Sequence, residues 1–406
     1  MSARTGSPGT VAATIVLPAD PAAMSIGGIA SFVRAFVRFA PDDFAISMVG
    51  ITEALPVRRW STIEFEGRSM RFFPALQATS ARQSRVPMAL RFVTSLLRHG
   101  RPQGIDDSVL QFHRPATDLP FRRRGRARLR VVHLTTDDLT QPGGESRWRL
   151  LGPLLRRSEH ASLRHMDHIV VVNAAAADAY RARWPDVASR IGFLPNFYDD
   201  TIFRPLSAAE RAALRARVTT ELGLPRGARL VVFAGRLDGQ KDPALVVDAF
   251  AELHDQDPAV GLLMVGSGAL EDDLKRRVRE RSLEASVRLL GRQPRERVNE
   301  LLNASSLMTI SSRYETGPTV GYEALATGVP VVTTPVGEIA RIVRESDAGR
   351  VVPDRQPRSL TDAMREVLAA DDDEMRRRSM QAAAPFAASA VLNPLYEWHR
   401  RVRPRG

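Results

Sequence analysis

The sequence predicts an α/β protein built from two doubly wound parallel-sheet domains. At 406 residues the chain exceeds what one ordinary core accommodates, so two domains are expected. Apolar runs of strand length alternate with amphipathic stretches of helical period along both halves. Several of those runs end in short glycine-containing loops that open a helix, the place where an open parallel sheet presents residues to a ligand.

Val11 to Leu17 reads as the first buried strand. It is too short to span a membrane and lacks a cleavage pattern, which predicts a cytoplasmic protein. Ser25-Ile26-Gly27-Gly28 follows, then a helix with Phe32, Val33, Phe36, Val37 and Phe39 at helical spacing. Strand, glycine loop and helix suit either a tight turn or a phosphate-facing loop, and Gly27-Gly28 is not the dinucleotide fingerprint. Ile46 to Val49 continues the sheet. Val109 to His113 and Leu129 to His133 are strands that each end in histidine, and Asp137 and Asp138 follow the second. Ile169 to Val172 and Ile191 to Leu194 complete this half.

Charge is distributed unevenly. Net charge is +12, and residues 1–200 hold 27 arginines against 18 acids. A basic N-terminal half calls for an acidic partner: a phospholipid surface, a polyprenyl phosphate or nucleic acid. No interleaved aromatics or recognisable module supports nucleic acid, which ranks last. Arg82 to Arg101 carries Val86, Leu90, Val93 and Leu97 on one face, near Arg85, Arg91, Arg98 and Arg101. It fits either a helix packed on its domain or one lying on an anionic membrane. The run Arg122, Arg123, Arg124, Arg126, Arg128 and Arg130 adds to the basic surface. Absence of cysteine excludes disulfides and thiolate metal sites. Asp255-Gln256-Asp257 and Asp371 to Asp373 fall at helix ends and read as solvated, so no metal site is expected.

In the C-terminal half, the strand Leu230 to Ala234 runs into Gly235-Arg236-Leu237-Asp238-Gly239-Gln240-Lys241-Asp242 and a helix from Pro243 to Leu253. Arg236 and Lys241 share one strand-to-helix loop, free to point into the crevice; an arginine forks onto phosphate oxygens while a lysine adds a compact charge. Lysine is rare here, two residues against 56 arginines, so its presence at this loop carries weight. Gly261 to Val265 leads to Gly266-Ser267-Gly268, a turn and a weak phosphate loop. Val287 to Leu290 ends at Gly291-Arg292. Leu307 to Ile310 then feeds Arg313 to Pro330, around which the chain is organised. Gly317 and Pro318 mark a turn opening a helix, with Pro318 suited to its first position. Free N–H groups there favour an anion. Glu315 precedes that helix and Glu323 lies within it. Carboxylates flanking an anion site suit hydroxyls on either side of it, the outline of a sugar nucleotide.

At these residues the chain resembles the GT-B glycosyltransferases, in particular the large retaining class with a Glu-x7-Glu motif, the family 4-like or group 1 enzymes. The resemblance is strong over residues 225–355 and thin over the first 200. It implies two Rossmann-like domains facing a central cleft: residues 1–198 on the acceptor side, 199–384 on the nucleotide-sugar side, and a helix within 385–406 returning to the first. It implies Arg236 and Lys241 on the diphosphate, Gly291 and Arg292 at the base, and Gly317, Pro318, Thr319 and Val320 at the helix start on the donor. Glu323 would hold the ribose and Glu315 a hydroxyl of the transferred sugar. Gly27 and Gly28 would face the donor phosphates, and His133 would reach the sugar. His113, Asp137 and Asp138 are acceptor-side candidates.

The implied reaction moves a sugar, with retention, from a UDP- or GDP-sugar to a hydroxyl of a glycan, glycolipid or polyprenyl-linked acceptor. It implies neither a metal nor pyridoxal phosphate; the short first apolar run and the basic N-terminal half predict a cytoplasmic protein that can sit at the inner membrane face. Two departures stand out. Glu315-Thr316-Gly317-Pro318 replaces the common Glu-Gly-Phe-Gly, and Pro318 lacks an N–H. Asn196-Phe197 replaces the usual Asn-Gly at the crossover. Three alternatives share the architecture: a pyridoxal phosphate-dependent phosphorylase, for which neither Lys241 nor Lys275 has a suitable context; a nucleotide-sugar epimerase or hydrolase; and a non-catalytic nucleotide-sugar-binding protein.

Overall fold

The computed structural model describes residues 10–24, 27–78, 86–122, 127–133, 152–315 and 318–402. It divides into two units, residues 1–195 with 391–406, and residues 196–390.

The first unit is built on eight strands: β1 (Val11–Val16), β2 (Phe44–Thr52), β3 (Ser61–Phe65), β4 (Arg68–Gln77), β5 (Val109–Phe112), β6 (Ala127–Val132), β7 (His168–Val171) and β8 (Ile191–Phe193). Their order is β3-β4-β2-β1-β5-β6-β7-β8, parallel throughout except for the β3–β4 pair. Strand order reverses direction at β1, whose Val16 pairs with Phe112 of β5. A crevice outside the carboxyl ends of β1 and β5 is therefore built into this topology. The loop after β1 leads into the helix Gly28–Arg38, and His113 and His133 follow directly on β5 and β6.

Sequence reading passes over the β3–β4 hairpin. Its turn, Glu66-Gly67, has positive φ at both residues (53° and 75°), a hairpin turn usually signalled by Asn-Gly or Asp-Gly. Glutamate stands there because its carboxylate takes both Arg34 and Arg38 from the neighbouring helix. A second difference concerns the basic helix, which spans Met88–His99. Its packed face is Phe92, Val93 and Leu96, while Val86, Leu90 and Leu97 are 45, 53 and 61% exposed. The expected single apolar face is thus split, and three of its residues point to solvent.

The helix Asn393–Arg401 completes the first unit. Tyr396 is buried against Phe36 and Phe44, and its hydroxyl donates to the Phe36 carbonyl at 2.9 Å. Arg400 pairs with Asp43 at 2.7 Å. Among the described residues no helix is long and apolar enough to cross a membrane.

The second unit carries six strands, all parallel: β9 (Arg229–Ala234), β10 (Val260–Val265), β11 (Val287–Gly291), β12 (Leu307–Ile310), β13 (Val331–Thr333) and β14 (Gly349–Val351). The order β11-β10-β9-β12-β13-β14 places its reversal at β9. Strands covered on both faces read as continuous apolar runs. In β9, Leu230 and Val232 enter one core with Leu263, Met308 and Ile310. Val231 and Phe233 enter the other with Leu262, Met264 and Leu307. That period of two fixes the register, and fixing it sends the loops after β9 and β12 to the same edge.

Candidate active site

In the second unit, the loop Gly235–Asp242 after β9 and the segment Ser311–Glu315 after β12 meet. Lys241 Nζ pairs with Glu315, whose carboxylate also accepts the Ser312 hydroxyl at 2.6 Å. Both side chains are largely withdrawn from water, 18 and 6% exposed. Arg236 is two-thirds exposed and pairs with Asp238 at 2.5 Å and Gln240 at 2.8 Å. In the ligand-free chain both cations are thus paired. Lys241 is held by an acid of the facing segment, where an uncompensated buried charge would be costly, and exposed Arg236 by an acid of its own loop.

Residues that sequence reading missed hold this junction together. Ser311 donates to the carbonyls of Lys241 and Asp242 at 2.7 and 2.9 Å. Arg355 donates to the carbonyls of Ser311 and Ser312 at 2.8 and 2.7 Å and pairs with Asp242. Asp242 itself is left-handed, with φ 46° and ψ 57°. Gly337, φ 68°, backs Glu315 so closely that a Cβ would sit 3.1 Å from the Glu315 Cβ. A Ser-Ser pair after an apolar run was a legible signal; an arginine 43 residues from Ser312 was not.

The Gly266-Ser267-Gly268 turn also differs from its expected role. A Cβ on Gly266 would lie 1.8 Å from the Gly235 carbonyl oxygen, and one on Gly268 2.3 Å from that of Leu237. Gly235 and Leu237 donate to the carbonyls of Val265 and Ser267 at 2.9 and 3.1 Å. These glycines seat the Arg236 loop, backbone on backbone. Their residue type is explained by that close approach rather than by a phosphate. Next to them, Gly291 has φ 66° and the Arg292 guanidinium donates to the Ser267 hydroxyl at 2.7 Å.

The helix after Glu315 spans Thr319–Ala326, so Pro318 precedes it as N-cap instead of occupying its first turn. Thr319 and Val320 form the first turn. Glu323 sits one turn on, 9% exposed, and no described residue donates a hydrogen bond to its carboxylate. Burial pushes its pKa up to about 7; Arg295 opposes that rise and Asp199 adds to it. Arg295 pairs with Asp199 at 3.1 Å. Glu323 is thus a buried acid poised near neutrality beside a fixed ion pair.

In the first unit, Gly27 and Gly28 open the helix Gly28–Arg38, with nothing within 4 Å of a Cβ built on either. Space, not strain, is what they provide. His113 and His133 come together: His113 Nδ1 lies 3.1 Å from His133 Nε2, and Phe32 meets both rings edge-on. His113, expected near the acceptor, is 2% exposed and faces His133. Burial, with repulsion from Arg130 and Arg114, pushes His133 down to about 3 and His113 well below its ordinary range. Both rings are neutral at pH 7. The expected sites Asp137, Asp138 and Gly317 lie outside the described residues, as do Ser25, Ile26, Arg82, Arg85, Arg123, Arg124, Arg126 and Thr316.

Comparison with known proteins agrees with this geometry. Residues 216–385 match the family model described as "Glycosyl transferases group 1". D-inositol 3-phosphate glycosyltransferase 1 of Catenulispora acidiphila is 28% identical over 98% of both chains. The chain spans about half the length of the curated relatives that it matches at 32% identity or more. Among solved structures, sucrose-phosphate synthase from Thermosynechococcus elongatus superposes with TM-score 0.75 at 21% identity, over 96% of this chain and 98% of that one. Anabaena HepE in complex with UDP-glucose gives TM-score 0.68 at 15% identity, over 95 and 98%. Two parallel-sheet units put the chain on the GT-B fold, and residues 216–385, which carry the Glu-x7-Glu pair, match the glycosyl transferases group 1 family.

Proposed function

We propose that this chain is a retaining glycosyltransferase that moves a sugar from a UDP- or GDP-sugar to a hydroxyl of a glycan, glycolipid or polyprenyl-linked acceptor. One observation carries the reading: Arg236 and Lys241 share a loop, and Lys241 touches the first glutamate of the Glu-x7-Glu pair. As the glycosidic bond lengthens, negative charge grows on the leaving diphosphate. Preorganised cations at that point lower the barrier. Arg236, Lys241 and the N–H groups of the first turn from Thr319 supply that field, and neutralising charge from a metal ion is not required of them. Glu323 accepts hydrogen bonds from the ribose and Glu315 from the transferred sugar, which fixes orientation. The full-length relative bears the name of an inositol phosphate transferase, so D-inositol 3-phosphate belongs among the acceptors to be tested.

A thermal-shift panel of UDP-, GDP-, ADP- and TDP-sugars tests the donor class. Ligand at a hundred times Kd stabilises by about 2.7 kcal/mol, a rise of roughly 5 °C or more for a unit of this size. A rise confined to one base class is expected. No rise with any of them, together with no sugar transfer, overturns the reading.

The basic helix Met88–His99 supports an anionic membrane surface, at the cytoplasmic face, as a second partner. Val86, Leu90 and Leu97 stand exposed beside exposed Arg98 and Arg101, an apolar stripe flanked by cations. Co-sedimentation is expected with vesicles containing phosphatidylglycerol and not with neutral ones. Equal behaviour with both removes this partner.

A further inference from the structure

This inference rests on the proposed function and on the expectation, implied by the family resemblance, that His133 reaches the transferred sugar; what the structure adds is a device that sets the state of its ring. Gln111 is fully buried on β5, and its Nε2 lies 2.9 Å from His113 Nε2. His113 Nδ1 in turn lies 3.1 Å from His133 Nε2. The two imidazoles stack with centroids 5.4 Å apart and planes 27° from parallel, and Phe32 closes one side of both. An amide N–H can only donate, so His113 Nε2 must accept. A neutral imidazole with Nε2 accepting carries its proton on Nδ1. His113 Nδ1–H then donates to His133 Nε2, and the same rule places the proton of His133 on Nδ1. Reversing the Gln111 amide would bury its NH2 group without that acceptor, leaving donors unpaired. The present orientation leaves one acceptor, Oε1, without a partner. The second arrangement is the less costly.

We propose that Gln111 and His113 are positioning residues that lock His133 as the Nδ1–H tautomer, so that its ring meets a substrate hydroxyl as a hydrogen-bond donor. Neither residue needs to touch substrate. Burial beside Phe32 holds the geometry, and the positive charges of Arg114 and Arg130 oppose a second proton on either ring. No further acid or base faces the pair among the described groups that shift their titration. The relay therefore works as a fixed orientation of dipoles, not as a proton shuttle.

Gln111→Glu tests this, because a carboxylate at 111 accepts where the amide donated. It forces His113 to donate from Nε2, reversing both rings or adding a proton to His113. The direct readout is the 15N spectrum of histidine-labelled, ligand-free protein, which distinguishes Nδ1–H from Nε2–H at each ring. Native protein is expected to show Nδ1–H at both His113 and His133. In Gln111→Glu, His133 is expected to become Nε2–H, or His113 to take up a second proton at a higher pH than in the native protein. Donor turnover then falls by about 3- to 10-fold, the worth of one hydrogen bond, while nucleoside diphosphate affinity stays within about twofold. Gln111→Met, which removes the donor without adding charge, is expected to show both tautomers and a smaller loss. Nε2–H at His133 in the native protein overturns the proposal whether or not any variant folds. Reversed tautomers with unchanged turnover and an unchanged pH profile overturn its functional part. Because the spectrum needs no substrate, a chain that failed to transfer sugar would sink the proposed function and leave the tautomer assignment to be judged separately.

Discussion

Lys241→Ala is expected to weaken nucleoside diphosphate binding and sugar transfer by about tenfold or more, since a charge-assisted contact to phosphate is lost. It also removes the partner of Glu315, which is 6% exposed and keeps the Ser312 hydroxyl as its remaining donor among the described contacts. Breaking a buried pair from one side costs about 3 kcal/mol or more when both groups are desolvated, and somewhat less here because Lys241 is partly wetted. The variant should therefore unfold at lower denaturant as well as bind poorly. Lys241→Ala combined with Glu315→Gln separates the two effects. The double variant has no orphaned charge and regains most of the stability, while donor affinity stays low. Titration calorimetry with UDP and GDP, next to urea unfolding, reads both quantities. Native affinity in Lys241→Ala would place the diphosphate elsewhere. A double variant no more stable than the single one would mean that the pair contributes little to the fold.

Glu323 carries the second large effect. Its pKa, pushed up to about 7 by burial, leaves the free protein roughly half protonated at neutral pH. In the proposed donor complex ribose hydroxyls donate to the ionised carboxylate, so binding is expected to draw the pKa down and release a proton. Donor Kd is expected to fall by up to tenfold per pH unit from pH 5 to 7 and to level off near pH 8. The binding enthalpy should differ between buffers of different ionisation enthalpy, by an amount that gives the proton count. Stability moves the opposite way. A folded-state pKa above the unfolded value means that the native protein holds the proton more tightly, so this contribution is complete below pH 4.5 and is lost as pH rises through 7. Glu323→Gln should thus be more stable than the native protein at pH 8, by about 2–3 kcal/mol, and equal to it at pH 4.5. It should bind donor weakly at every pH. Donor affinity that is flat with pH in the native protein would take Glu323 out of the ribose site.

Much of this was legible in the sequence, for identifiable reasons. Strands such as Leu230–Phe233 are buried on both faces and so spell themselves as unbroken apolar runs. Arg236, Lys241, Glu315 and Glu323 fall in loops and a helix start directly after such strands, where topology alone brings loops together. The β3–β4 hairpin stayed hidden because its turn carries Glu66, a residue selected by two arginines on another helix and not by turn geometry. Arg355 and Gly337 escaped for the same reason: each acts on a segment distant in sequence. So did the pairing of Lys241 with Glu315. Their expected roles on phosphate and sugar hydroxyl were assigned one residue at a time, and a ligand-free site must first satisfy its charges internally. The tautomer relay needed distances, because Gln111 reads from the sequence as an ordinary strand residue and His113 as an acceptor-side candidate, with nothing to link the two to His133.

The seating of the Arg236 loop on Gly266 and Gly268 bears on how donor preference could be altered. A seat made of main chain against main chain does not depend on the identity of the side chains around it. On the proposed reading, in which the base lies at Gly291 and Arg292, exchange of Arg292 and Gln293 gives up their side-chain bonds to the Ser267 hydroxyl and the Leu290 carbonyl and leaves the main chain under the cationic loop in place. Any bulk introduced at Gly266 or Gly268 would instead push that loop off its strand. A library aimed at a new donor should randomise the first pair and leave both glycines untouched.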